Sequence, residues 1–312
     1  MTTFIIRRVL WTIPVLLLVI LLTFLLMHRI PGNPFRKTER AVPAAVQANL
    51  DRKFHVRDPW WKQYYYYTKG VFTLDLGPSL VLRNQTVNDI IKSHFPKSLK
   101  LGMLAFLWGI VFGIPAGVIS ALRPNSLFDY AAQFFSNVGA AVPSFLTATL
   151  LIYFVALKSG LVPTNGWPSG FWQLDKRVIL PSFALGLTPM TYFARLVRGT
   201  MLETMQQDYI RTARAKGLRW RRVVLLHVFR NSLIPVVTAV GPLFGYIITG
   251  TFLIEVIFSI PGIGRYFITS VQGLDYSTVM GITVLTSSVI VIANLFVDIM
   301  YGFLDPRTRD AR

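Results

Sequence analysis

Six apolar runs, each close to the length that crosses a bilayer, constrain this chain more than any other feature. They cover residues 9–27, 101–122, 130–157, 178–194 (continuing past Arg195), 231–254 and 276–297. A helix needs about 20 mainly apolar residues to span the hydrocarbon core. Backbone groups in lipid must be satisfied within the structure, which restricts spanning elements to helices and closed barrels. The runs therefore predict an all-α membrane protein with six transmembrane helices. Charged residues make up only 15% of the chain, against about 25% in a soluble domain.

Arg7 and Arg8 precede the first run and give it the look of a signal peptide. The run is longer than the apolar core of such a peptide, and no small-x-small cleavage site follows, so a retained span is expected. The segment between spans four and five holds Arg195, Arg198, Arg211, Arg214, Lys216, Arg219, Arg221, Arg222 and Arg230. Arg7 and Arg8 stand at one terminus, and Arg307, Arg309 and Arg312 at the other. With six spans these clusters share one side. Basic short loops stay inside, so both termini are expected in the cytoplasm. The same rule accounts for the net charge of +18, and no nucleic-acid module accompanies that charge.

The chain divides into a first helix (1–30), an extracytoplasmic insertion (31–97) and a core (98–312) with a cytoplasmic loop at 207–230. No internal repeat is visible. Trp60, Trp61 and Tyr64 through Tyr67 fit an interfacial aromatic belt, with a small lid over the pathway as the alternative. Pro143, Pro181, Pro189, Pro235 and Pro242 punctuate the spans. Ordinary kinking explains them, and so does a pathway that opens and closes. Gly109, Gly113 and Gly117, at spacing four, favour close helix packing.

The loop at 207–230 has an order that charge alone does not require. Asp208 is placed to cap a helix by accepting from a free backbone N–H. Tyr209 to Lys216 make about two turns, Thr212, Ala213 and Ala215 keep them narrow, and Gly217 is placed to end the helix in the left-handed conformation. Arg211 and Arg214 fall on one face, suited to acidic groups of a partner. Trp220, Val223, Val224 and Leu226 are expected on the membrane surface before re-entry at Asn231. A solvated basic loop is the plainer alternative.

Gln207-Asp-Tyr-Ile-Arg-Thr-Ala-Arg-Ala-Lys-Gly-Leu218, followed by Arg230-Asn-Ser-Leu-Ile-Pro235, resembles the cytoplasmic EAA loop of permease subunits of bacterial ATP-binding-cassette (ABC) importers, in the version of the dipeptide/oligopeptide (and nickel) class. Glu255 to Gly264, Asp275-Tyr276, Asp305-Pro306-Arg307, Pro31-Gly32-Asn33-Pro34 and Leu74-Asp-Leu-Gly77 are similar to that class elsewhere. Arg211-Thr212-Ala213 stands where the general motif has Glu-Ala-Ala, and Arg230 where it has a later proline; the dipeptide class shares both changes. Asn33 replaces a usual Asp, and Leu74 a usual Gly.

The resemblance implies a type I importer permease fold. It implies a second homologous permease subunit, two cytoplasmic ATPases that grip a coupling helix (Asp208, Arg211, Thr212, Ala213, Arg214, Lys216, Gly217), and an extracytoplasmic binding protein that delivers peptide. ATP and Mg would be bound by the ATPase subunits, with no cofactor in this chain, and the location would be the bacterial inner membrane. Glu255, Pro261, Gly262 and Gly264 are candidates for an outer gate, with structural pairing as the alternative for Glu255. Nickel, haem or oligosaccharide remain open as cargo.

The residues offer no catalytic chemistry. There is no G-x-x-x-x-G-K-[ST] phosphate loop, cysteine is absent, and His28, His55, His94 and His227 lack metal-ligand spacing. Asp298, inside the last span, is expected to pair with an arginine. A self-sufficient carrier or channel is the competing class, disfavoured by the scarcity of acidic groups in the spans and of any inverted repeat. A membrane scaffold with no transport role is a third reading.

Overall fold

The computed structural model describes residues 2–29, 58–82 and 85–304. The helices are α1 (Thr2–Arg29), α2 (Trp60–Phe72), α3 (Val87–Trp108), α4 (Ile114–Leu122), α5 (Leu127–Ala141), α6 (Ser144–Leu151), α7 (Ile179–Met205), α8 (Asp208–Ala215), α9 (Trp220–Val223), α10 (Arg230–Ile257), α11 (Ile263–Gly273) and α12 (Tyr276–Leu304). Wider π-helical turns at Gly109–Gly113 and Val224–Phe229 join α3 to α4 and α9 to α10 without a break. A single antiparallel bridge, Pro78 to Thr86, is the sole sheet-like pairing among the described residues. The all-helical expectation holds.

The spans depart from their expected bounds in instructive ways. Four stretches are long and apolar enough to cross a bilayer: Val9–Met27, Val87–Leu122, Trp220–Ile257 and Tyr276–Val297. The second starts well before residue 101, inside the stretch assigned to the external insertion. The expected third span is broken. Leu127–Ala141 and Ser144–Lys158 meet at 105°, because Pro143 holds an extended conformation (φ −58, ψ 141) that no helix accommodates. If that bent pair counts as one span, the described residues hold up to five. The remaining candidate, α7, has 27 residues, ample length for a bilayer, but carries Arg195, Arg198 and Glu203. It buries its apolar face on other helices.

The described residues fall into two compact units. The first, Leu99–Ile260 with Ile292–Arg312, is organised around α7. Asp175 caps the short 3-10 turn Lys176–Val178 that leads into that helix, accepting from Arg177 N (2.9 Å) and pairing with its guanidinium (2.8 Å). That guanidinium holds the Asp175 carboxyl below the usual carboxylate range. The α3–α4 rod lies against α7 through its glycines. A Cβ at Gly109 would come within 2.9 Å of Pro189 Cβ, and one at Gly117 within 2.6 Å of the Ala194 carbonyl oxygen. The spacing-of-four stripe is thus a close-packing face, as expected.

Asp129, at the start of α5, is fully buried. It accepts from Arg198 Nε (2.7 Å) and Nη2 (2.8 Å) of α7, from Asn125 N (3.0 Å), from Gln133 Nε2 (3.0 Å) and from Ser120 Oγ. A bidentate guanidinium fork suits a buried carboxylate, since it satisfies both oxygens at once. Removing one partner would strand the other charge, typically a loss of about 3–5 kcal/mol.

The second unit comprises Thr2–Ser98 and Pro261–Val291. Tyr64 of α2 packs edge-on against Phe24 of α1, and its hydroxyl donates to the Leu17 carbonyl (3.2 Å). Trp60, Trp61, Tyr65 and Tyr66 remain exposed, whereas Tyr64 is turned toward α1. Asp275 is buried before α12 and accepts from Ser79 Oγ, Leu80 N (3.1 Å), Thr278 N (3.2 Å) and Thr278 Oγ1 (2.8 Å). It caps α12 and ties the 74–82 loop to it. Leu74 in that loop holds φ +57 and is 80% exposed. Its left-handed backbone is the physical reason a glycine suits the position.

Candidate functional site

The loop after α7 folds into α8, and its geometry follows from one apolar seat. Ile210 (2% exposed) and Ala213 (8% exposed) lie three apart on one face of α8. They join the core cluster that also holds Met201, Val223, Val224 and Val228, with Leu202, Met205 and Leu218 packed around it. The expected surface segment at Trp220–Leu226 is corrected by this packing. It is helical, continuous with α10, and buries Val223 and Val224 while exposing Leu225 and Leu226.

The other face of α8 is polar. Asp208, Arg211, Thr212 and Arg214 are exposed, as are Lys216 and Gly217 beyond its end. Asp208 is not the cap. Gln207 occupies that position in extended conformation (φ −70, ψ 146), with no side-chain capping bond. Asp208 is the first helical residue, where its charge complements the helix dipole. Its Oδ1 lies 3.6 Å from Arg211 Nη1, an exposed pair worth little by itself. The two arginines diverge: Arg211 leans back to Asp208, and the Arg214 guanidinium rests 4.9 Å from the centre of the Trp220 ring.

The helix ends as its glycine predicts. Gly217 has φ +79. Its N–H donates to the Arg214 carbonyl (2.9 Å), and the Leu218 N–H to that of Ala213 (3.4 Å). This pair of bonds is the Schellman closure, accompanied by apolar contact of the residue after the glycine with the last turn. A Cβ at Gly217 would touch nothing within 4 Å, so backbone conformation alone selects glycine. Asn231 Nδ2 of α10 donates to the Tyr209 hydroxyl (3.1 Å), a second tie between α8 and the transmembrane helices. Ala213, expected to help form the docking face, instead belongs to the seat.

The gate candidates are distributed differently. Glu255 is buried in α10, and its carbonyl accepts from Ile260 N (2.8 Å) in the turn that ends the helix. Pro261, Gly262 and Gly264 belong to the second unit, where Gly262 precedes α11 in extended conformation. There His94 Nδ1 donates to the Pro261 carbonyl (2.8 Å), and Ile263 N to Ser98 Oγ (2.9 Å). Asp298, Asp305–Arg307 and the 31–34 motif lie outside the described residues or side chains.

Sequence reasoning passed over Asp129, and met Asp275 only in the Asp275-Tyr276 motif without its structural role. Each had a local signal. Ser126-Leu-Phe-Asp129 is a capping pattern ahead of an apolar run, and Ser126 Oγ does accept from Asp129 N (3.2 Å). Asp275-Tyr-Ser-Thr278 opens α12 in the reverse sense, with Asp275 as cap. Their long-range partners, Arg198 and Ser79, are 69 and 196 residues away and left no such trace.

Comparison with known proteins places this architecture. The family profile described as "Binding-protein-dependent transport system inner membrane component" matches residues 113–310, and its N-terminal companion matches 1–102. The chain is 41% identical over 309 residues to the oligopeptide transport system permease protein OppB of Haemophilus influenzae, covering 99% of this chain and 100% of that one. It is 43% identical over 310 residues to the dipeptide transport system permease protein DppB of Bacillus subtilis, with 99% and 98% covered. Among solved structures, the inward-facing MetNI methionine ABC transporter shares the fold at 16% identity and TM-score 0.54, over 69% of this chain and 96% of that one. An amino acid ABC transporter gives 0.52 at 16% identity, over 70% and 94%.

The chain therefore belongs to the inner-membrane permeases of binding-protein-dependent ABC transport systems. It is a membrane subunit rather than the ATP-hydrolysing one, and it resides in the inner membrane. The resemblance found at residues 207–235 is borne out; the carrier, channel and scaffold readings fall.

Gly217→Val forces a β-branched residue into the left-handed region, at roughly 1–2 kcal/mol, or about five- to thirtyfold in local opening. Trypsin should cut the 211–222 segment of that variant faster by such a factor. Gly217→Asn, which tolerates the conformation, should stay near the unaltered rate. Equal cleavage of the valine variant and the unaltered protein would show that Gly217 does not close the helix.

Proposed function

We propose that this chain is one of two related permease subunits that together import di- and oligopeptides, driven by ATP hydrolysed elsewhere in the assembly. The observation that carries the cargo is full-length similarity to permeases named for dipeptide and oligopeptide transport. Two cytoplasmic ATPases, which bind ATP and Mg, receive the exposed face of α8. An extracytoplasmic binding protein delivers peptide to the opposite side.

In this reading Asp208, Arg211, Thr212, Arg214, Lys216 and Gly217 form the docking surface, and Ala213 with Ile210 anchors it. The apolar seat supports that assignment, because a helix packed into the core transmits a rigid displacement where a floppy loop absorbs it. Pro261, Gly262 and Gly264, at the start of α11, contribute to an outer gate. Residues 1–30 anchor the chain, 31–97 lie outside, and 98–312 make the permease core. The chain crosses six times, with α7 as the span shielded by protein, and both termini inside.

Orientation is tested by reporters. A fusion after Thr68 should read as external and one after Arg214 as cytoplasmic; the reverse pattern would remove the docking assignment. Coupling is tested in proteoliposomes holding the whole assembly. Arg211→Glu with Arg214→Glu should leave insertion intact and lower ATP-dependent trialanine uptake by at least about tenfold, since like charges at a docked interface cost several kcal/mol. Uptake at the unaltered rate would mean that these arginines do not face the motor.

A further inference from the structure

Within the first unit, α7 and α10 enclose a groove of about 640 Å³, in the size range of small-molecule sites. Tyr192 and Leu196 line it from α7; Pro235, Thr238, Pro242 and Tyr246 line it from α10. No acidic, basic or histidine side chain is among its lining residues. Both tyrosines are well exposed, at 40% and 60%.

The two prolines give the groove its chemistry. Pro242 has no N–H to offer the Thr238 carbonyl four residues earlier, and Pro235 none for Asn231. The Thr238 carbonyl thus lacks its regular helical donor on a wall that also carries tyrosine and threonine hydroxyls. Thr238 Oγ1 donates to the Ile234 carbonyl (3.1 Å), which leaves its own lone pairs as acceptors. Freed carbonyls are costly against lipid and are tolerated where the helix lines water or protein. The wall is otherwise apolar, with Leu196, Ile234, Ala239 and Leu243, and its few polar groups, three hydroxyls and the Thr238 carbonyl, match a main chain, which offers N–H and C=O groups in every peptide whatever its side chains.

We infer that this groove is a wall of the solute path and holds a passing peptide by its backbone. Peptide N–H groups donate to the Thr238 carbonyl and hydroxyl oxygens, and peptide carbonyls accept from the Tyr192 and Tyr246 hydroxyls. The inference rests on the peptide-import reading above and adds the contact residues to it. The absence of charge has a functional sense: a fixed ion would favour one class of side chain and slow the release of its opposite.

The chain has no cysteine, so Thr238→Cys and, separately, Ala239→Cys each place a single thiol in the groove. The whole assembly is reconstituted in proteoliposomes and labelling of this chain is followed. A charged, water-soluble thiosulfonate should react at both positions. Trialanine with binding protein and ATP should slow that reaction severalfold. Three results would overturn the inference: reaction only with a lipid-dissolved maleimide, no reaction with either reagent, or labelling indifferent to trialanine in an assembly that transports it.

Tyr192→Phe with Tyr246→Phe should lower uptake of trialanine, trilysine and triglutamate in the same proportion. A loss confined to one charge class would contradict main-chain recognition. If the unaltered assembly takes up no trialanine, the peptide reading itself fails, and water-soluble labelling then distinguishes a path for another solute from a groove that is no path.

Discussion

The apolar seat beneath α8 is the contact on which the rest of this structure turns. Two small-to-medium side chains, Ile210 and Ala213, are buried in the core cluster built around α7. Everything polar on the short helix faces away because of that choice. An isolated helix of eight residues is far too short to persist in water, so α8 exists as a helix through its burial and its closure at Gly217. Charge occupies the outward face, and packing supplies the stiffness.

The stiffness extends inward through α7. Its apolar face is covered by neighbouring helices, its Arg198 is clamped on buried Asp129, and close glycine contacts fix the α3–α4 rod against it. Thr200 and Thr204 meet Ser232 of α10 at 3.3 Å each. α8 therefore sits on helices locked by directional polar bonds as well as by dispersion. The same α7 and α10 present the uncharged groove around Thr238.

Much of this was legible in the residues and some was not. The helical class followed from apolar runs because lipid permits little else. The short helix at 208–215 followed from its glycine and its polar interval, although the capping role fell to Gln207. That error has a simple cause: an extended residue caps by its backbone carbonyl alone, and side-chain type does not reveal it. The bend at Pro143 was visible as a proline but not as a 105° break, since prolines in membrane helices more often kink than interrupt. The bonding of the Asp129 and Asp275 carboxylates was missed because their partners lie far along the chain. Their signals concern the local cap, whereas their importance lies in distant donors.

The claim at the centre is that the outward face of α8 meets an ATP-hydrolysing subunit. Thr212 is exposed on that face, and the chain lacks any native cysteine. Thr212→Cys, treated with a short bifunctional thiol reagent in membranes that carry the complete transport system, measures the contact directly. The account predicts a cross-linked product of this chain with the ATPase subunit, in yields that change with bound ATP. A membrane preparation active in transport that never yields that product would contradict it.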